Sequence, residues 1–203
     1  MQRRRWKDNP RHSARRLLAR SGARVAALDI DPQGTFSVWA ALRQERLGEK
    51  ALGFDFAALP GWRAPQWVDD RVGTADLVLI DAPPHAEAEA RIAVRAARLV
   101  VVPVQPSPLD LWATAETLKM AQGEQRQPFV VLNRAPSRSR LTEDIAADLA
   151  SAGIAIAATR IGNRIALRQA MALGLGVIEN PRMNLAADEI GALADEIRRV
   201  LSG

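Results

Sequence analysis

Three polar residues stand at the ends of apolar runs. Asp31 follows Val25-Ala26-Ala27-Leu28-Asp29-Ile30, Asp81 follows Leu77-Val78-Leu79-Ile80, and Asn133 follows Phe129-Val130-Val131-Leu132. Each run has the length and composition of a buried strand. In an open α/β sheet ligands bind outside the carboxyl ends of the strands, so these three residues would share one edge. A strand-end acid suits Mg²⁺, which takes few protein carboxylates and keeps several waters. A second acid can orient the water that attacks a phosphoryl group. An asparagine amide presents a paired donor and acceptor to a base edge. A Mg²⁺-nucleotide site accounts for all three together; for any one alone, a strand end meeting water accounts equally well.

The elements that would position these residues follow from the spacing. Asp31-Pro32-Gln33-Gly34 has turn composition, and Thr35 and Ser37 behind it are helix-start signals. Strands are predicted at 24–30, 77–81, 99–104 and 129–133, with shorter ones at 53–56 and 154–157. Helices are predicted at 13–20, 35–46, 86–98, 109–122, 141–151, 163–173 and 185–201. Pro60-Gly61 and Ala64-Pro65 read as turns, with Trp62 and Trp67 packing over the loop around them. Strands apolar on both faces that alternate with helices predict an α/β fold: one doubly wound, mostly parallel sheet with helices on both faces.

Composition narrows the function classes. The chain has 203 residues, 48% of them hydrophobic, enough for one sizeable domain with a core. Without cysteine there is no disulfide, thiolate nucleophile or thiolate metal site, and His12 and His85 are too few for a histidine-rich one. No apolar run reaches the ~18 residues of a membrane helix, and no signal peptide is recognisable, so a cytoplasmic location and no membrane partner are expected. The net charge of +5 is uneven: residues 1–24 hold nine basic residues against one acid, which leaves the remainder at −3. The basic character belongs to the N-terminal segment, as a nucleic-acid-binding arm or as a solvated stretch.

The motifs stand in a recognisable order. They are Leu28-Asp29-Ile30-Asp31-Pro32-Gln33-Gly34, Leu77-Val78-Leu79-Ile80-Asp81-Ala82-Pro83-Pro84, Val102-Pro103-Val104-Gln105-Pro106-Ser107 and Val131-Leu132-Asn133-Arg134. With Arg160-Ile161-Gly162-Asn163-Arg164 and Ala172-Leu173-Gly174-Leu175-Gly176-Val177, the chain resembles the ParA/MinD ATPases over roughly residues 21–202. The resemblance implies a P-loop NTPase-like fold that hydrolyses ATP with Mg²⁺. It implies that Asp31 positions the hydrolytic water, that Asp81 lies near Mg²⁺, and that Asn133 sits beside the adenine with the loop at Pro181 as a second wall. It implies a homodimer, nonspecific DNA binding with nucleoid association, and a ParB-like or adaptor partner protein. Arg160, Arg164 and Arg168 are the candidates for a DNA-facing surface. The implied role is plasmid or chromosome partitioning, or the positioning of another cargo.

One part of the family pattern is missing. Members begin with a strand and a loop of the form Lys-Gly-Gly-x-Gly-Lys-Thr-Thr, whereas residues 2–9 read Gln-Arg-Arg-Arg-Trp-Lys-Asp-Asn, and no glycine precedes Gly22. Without glycines the backbone cannot wrap its N–H groups around phosphates. Lys7 falls at the family's spacing from Asp31 but has no loop to serve. Residues 3–10 can be encoded by CGG CGG CGT TGG AAA GAC AAC CCT. One base forward, the same letters read Gly-Gly-Val-Gly-Lys-Thr-Thr. Residues 1–20 are therefore read as an out-of-frame segment, and 21–203 as a single nucleotide-binding domain without its first strand and phosphate loop. Two other functions remain: a non-hydrolysing relative that keeps an interaction surface, and a dinucleotide-dependent oxidoreductase. No strand here is followed by Gly-x-Gly-x-x-Gly, which disfavours the latter.

Overall fold

Alternation of apolar residues on both faces makes the strands, and the turn residues between them set their ends. The computed structural model describes residues 23–83, 88–179 and 184–202. Strand β1 (Val25–Asp29) leads through the Asp31–Gly34 turn to helix α1 (Thr35–Leu47). A 3-10 turn at Glu49–Leu52 precedes β2 (Asp55–Ala58), and another at Gly61–Arg63 runs into the short helix α2 (Ala64–Asp69). Then come β3 (Leu77–Asp81), α3 (Ala88–Ala96), β4 (Leu99–Val104), α4 (Pro108–Gly123), β5 (Gln127–Leu132) and α5 (Arg140–Ser151). The chain continues with β6 (Ala155–Ile156), α6 (Ile165–Ala172), a 3-10 turn at Val177–Glu179 and α7 (Asn184–Ser202).

The fold class is the expected one, with parallel strands and helices on both faces. It differs in one respect: the described strands form two three-stranded sheets, ordered β2-β1-β3 and β4-β5-β6, and every pairing is parallel. In the first sheet Ala26, Leu28 and Ile30, with Val78 and Ile80, pack against Ala64 and Trp67 of α2 and Ala93 of α3. In the second, Val102, Val104, Val130 and Leu132 meet Leu118 of α4 and Ile145 and Leu149 of α5. Its other face sets Phe129 and Val131 against Leu167 of α6 and Ile190, Leu193 and Ile197 of α7.

The segment 47–73 departs most from expectation. The Ala64-Pro65 step starts a helix and is not an isolated turn, because proline is tolerated in the first helical turn where its missing N–H has no partner to lose. The strand lies at 55–58 because Gly53 takes a left-handed conformation (φ 72°) that ends the preceding 3-10 turn. Trp67 is buried in the core with the Arg71 guanidinium 3.5 Å from its ring centroid, as a packing group. Trp62 is not one: it is 69% exposed. Among the described residues no helix is long and apolar enough to cross a membrane.

Candidate functional site

The carboxyl end of β1 builds the site around Asp29. Its side chain is 2% exposed and accepts hydrogen bonds from the N–H of Asp31 (3.1 Å), the N–H of Ser37 (2.9 Å) and the Ser37 hydroxyl. Helix α1 begins after Gly34, which has no side chain to cap it. Asp29 therefore satisfies an orphan N–H of the first turn from outside the helix, and its charge sits at the positive end of the helix dipole. Thr35 and Ser37 were expected as start signals, but neither supplies the cap; Ser37 donates to Asp29. These three bonds fix the strand-to-helix angle, and with it the position of Asp31.

Asp31 closes the turn. Its carbonyl accepts from Gly34 N–H (2.8 Å) and its Oδ1 accepts from Gln33 N–H (2.9 Å). The turn needs the left-handed φ of 60° at Gly34, which glycine adopts without a Cβ penalty. No other hydrogen bond to the Asp31 side chain is formed among the described residues, so Oδ2 is free to meet a ligand or a water.

Asp81 faces this pair from the neighbouring strand. β1 and β3 pair in register from Val25–Leu77 to Asp29–Asp81, so the two strands end together. Partial burial at the sheet edge, and then the charges of Asp29 and Asp31, push the Asp81 carboxyl above the usual carboxylate range. No hydrogen bond or cation reaches it among the described residues. Three carboxylates with too little positive charge form a cation-seeking edge. They are not a complete cage: Asp29 is occupied by Ser37 and two backbone amides, and among the described residues no group of three metal-ligating side chains assembles. Such an edge suits an ion like Mg²⁺, which takes few protein carboxylates and keeps several waters.

The remaining expected residues are dispersed. Asn133, directly after β5 in the second sheet, is half-buried; its N–H donates to Val104 O and its Oδ1 accepts from Arg134 N–H (2.9 Å). Its Nδ2 group is left to recognise an acceptor. No hydrogen bond joins it to Asp31 or Asp81 among the described residues. Arg160 is paired with Glu143 and Arg164 with Glu189 (2.6 Å). Arg168 is exposed, with no ion pair among the described residues. Lys7 and Pro181 lie outside the described residues.

A further polar link had no counterpart in the sequence reading. Arg43 of α1 is buried and donates to both carboxylate oxygens of Glu179 (2.7 Å each) and to Gly174 O (3.0 Å). Burial alone would raise the Glu179 pKa, but Arg43 and the Gly176 N–H hold it below the usual range. The pair ties the helix after the Asp31 turn to the second half of the molecule. Its partners are 136 residues apart, and no local pattern marks them.

Known proteins give this geometry its context. No protein-family model matches the chain. The maintenance of carboxysome distribution protein A of Halothiobacillus neapolitanus is 26% identical over 183 residues, which cover 86% of this chain and 82% of that protein. Its namesake in Gloeobacter kilaueensis is 42% identical over 99 residues, 48% of this chain and 43% of that protein. Among solved structures, the septum site-determining protein MinD of Pyrococcus horikoshii, complexed with Mg-ADP, superposes with a TM-score of 0.68 at 17% identity. That match covers 95% of this chain and 90% of the other. The chain is thus similar in sequence to two carboxysome-distribution proteins, and its fold is that of MinD.

Proposed function

We propose that the chain forms the body of a ParA/MinD-type positioning ATPase, which distributes a cellular cargo through cycles of ATP binding and hydrolysis. The observation that carries this reading is the edge where Asp29 and Asp81 end in register and Asp31 holds its turn with one oxygen while the other stays free. Asp31 would hold the attacking water, and Asp29 would keep Asp31 in place through its N–H. Asp81 would bind Mg²⁺, which neutralises charge on the phosphates. Asn133 would offer its amide to the base. The names of the two carboxysome-distribution relatives favour an assembly such as a carboxysome as cargo over a plasmid or chromosome. Homodimerisation, nonspecific DNA binding with Arg168 as the exposed cation, and an adaptor partner belong to the same reading. The glycine-free residues 2–9 favour a second state: the chain as written retains the body and lacks the phosphate cradle.

The test is steady-state ATP turnover in a version whose residues 3–9 are replaced by Gly-Gly-Val-Gly-Lys-Thr-Thr behind an apolar strand. Magnesium-dependent turnover is expected, and Asp31→Asn should lower it by about 100-fold or more. Asparagine keeps the oxygen that accepts from Gln33 N–H, so the fold should survive. Turnover equal to the parent's would remove Asp31 from the reaction.

A further inference from the structure

The loop that leaves β5 concentrates positive charge without counter-charge. Arg134-Ala135-Pro136-Ser137-Arg138-Ser139-Arg140 holds three arginines and no acid, and the next acid along the chain is Glu143. All three arginines are exposed. Arg134 and Arg138 have no ion pair or side-chain hydrogen bond among the described residues. Arg140 reaches Asp144 only at 4.0 Å, with its side chain 95% exposed. Elsewhere the chain matches its cations closely: Arg24, Arg43, Arg71, Arg91 and Arg164 each stand 2.6 to 2.8 Å from a carboxylate oxygen.

The same loop is held on a fixed frame. Ala135 is buried, donates its N–H to Ile161 O (2.9 Å) and bridges to Gly162, which pins the loop near its start. Asn133 Oδ1 accepts from Arg134 N–H and Ser139 Oγ accepts from Thr142 N–H, so both ends are tied. Arg134 and Arg138 take left-handed backbone, with φ of 50° and 61°, which is unfavourable for most residues with a Cβ. The ties hold two arginines where asparagine or glycine would sit with less strain. A partner therefore meets these guanidiniums on a rigid support and orders little loop in binding them.

We propose that loop 134–140 docks an acidic segment of a partner protein, whose carboxylates complete the ion pairs that Arg134, Arg138 and Arg140 lack within the chain. A guanidinium donates two parallel N–H bonds to one carboxylate, so each arginine can take one acid. Leu141, 46% exposed beside Arg140, offers the segment an apolar contact. A nucleic-acid duplex fits this loop less well. Proteins that grip a duplex neutralise about 6–10 phosphates, whereas the loop brings three cations and residues 25–203 carry a net charge of −3. Arg160 and Arg164 do not enlarge the patch, because Glu143 and Glu189 already pair with them. The site needs neither nucleotide nor cargo, so it holds or fails apart from the ATPase reading.

Fluorescence anisotropy on the whole chain tests the site, with three labelled probes: a glutamate-rich peptide, the same peptide with lysine for glutamate, and a DNA duplex. Two variants are compared with the parent. One combines Arg134→Asn, Arg138→Asn and Arg140→Gln; asparagine tolerates the left-handed backbone, so the loop should keep its shape. The other combines Arg3→Gln, Arg4→Gln and Arg5→Gln, which removes the same charge from the basic N-terminal segment. The loop variant should bind the glutamate peptide about tenfold more weakly, as expected from three exposed ion pairs, and the N-terminal variant less than about twofold. The lysine peptide should not bind. Equal losses in the two variants would mean bulk attraction and overturn the site, as would no binding of the glutamate peptide by the parent. A loss on DNA larger than on the peptide would give the loop to nucleic acid and overturn the proposal as well.

Discussion

Asp29, Asp31 and Asp81 divide the labour at one sheet edge, and only part of that division can be read from residue types. Asp31 and Asp81 are conspicuous because each ends an apolar run. Asp29 is hidden within one, and its task follows from a helix that begins at a glycine without a cap of its own. The crowding of the three carboxylates has a measurable sign. Asp81 has its folded-state pKa raised, so its charge costs stability above that value, and the cost is relieved as pH falls through it. Asp81→Asn should therefore raise the thermal midpoint at neutral pH by about 1–3 °C, a small figure because the group is half solvated. The difference should vanish in acid, below the ordinary carboxylate range. A lower midpoint at neutral pH would show that the carboxylate is stabilised by a partner and not strained by its neighbours.

At the scale of elements, the central strands were legible because four apolar runs bounded by turn residues leave little alternative to buried parallel strands. The stretch from Leu47 to Gly73 was not, since its order comes from tertiary contacts, the Trp67–Arg71 stack and the Arg71–Asp55 ion pair, and from a helix with a proline in its first turn. The contact between Arg43 and Glu179 is equally silent in sequence, and it joins α1 to the turn before α7. It is close-packed as well as charged: Gly174 sits at φ 64° with the space of a Cβ only 2.9 Å from the Arg43 backbone. Arg43→Met would leave Glu179 without its guanidinium and the Gly174 carbonyl without a donor, at a cost of about 3 kcal/mol in denaturant unfolding. Adding Glu179→Leu should recover most of that loss. A single substitution costing under about 1 kcal/mol would mean that the link between the halves is held by other contacts.

For the whole molecule, two features set this chain apart. The basic, glycine-free residues 2–9 stand where the ParA/MinD ATPases that the sequence resembles have a phosphate loop, and the centrally composed β3 and β4 are edge strands among the described residues. The first signal is chemical and could be read from composition. The second needed the pairing pattern, because an apolar strand looks the same whether or not its neighbour is present. On the proposed reading, the acidic edge is built and the sequence before it lacks the glycines of a phosphate cradle. Titration calorimetry with Mg-ATP, on the chain as written and on the version carrying the strand and glycine loop, tests this most directly. Binding with a Kd of about micromolar in the restored version and no measurable heat in the chain as written is the predicted result. Micromolar binding by the chain as written, or none by the restored version, would contradict the account.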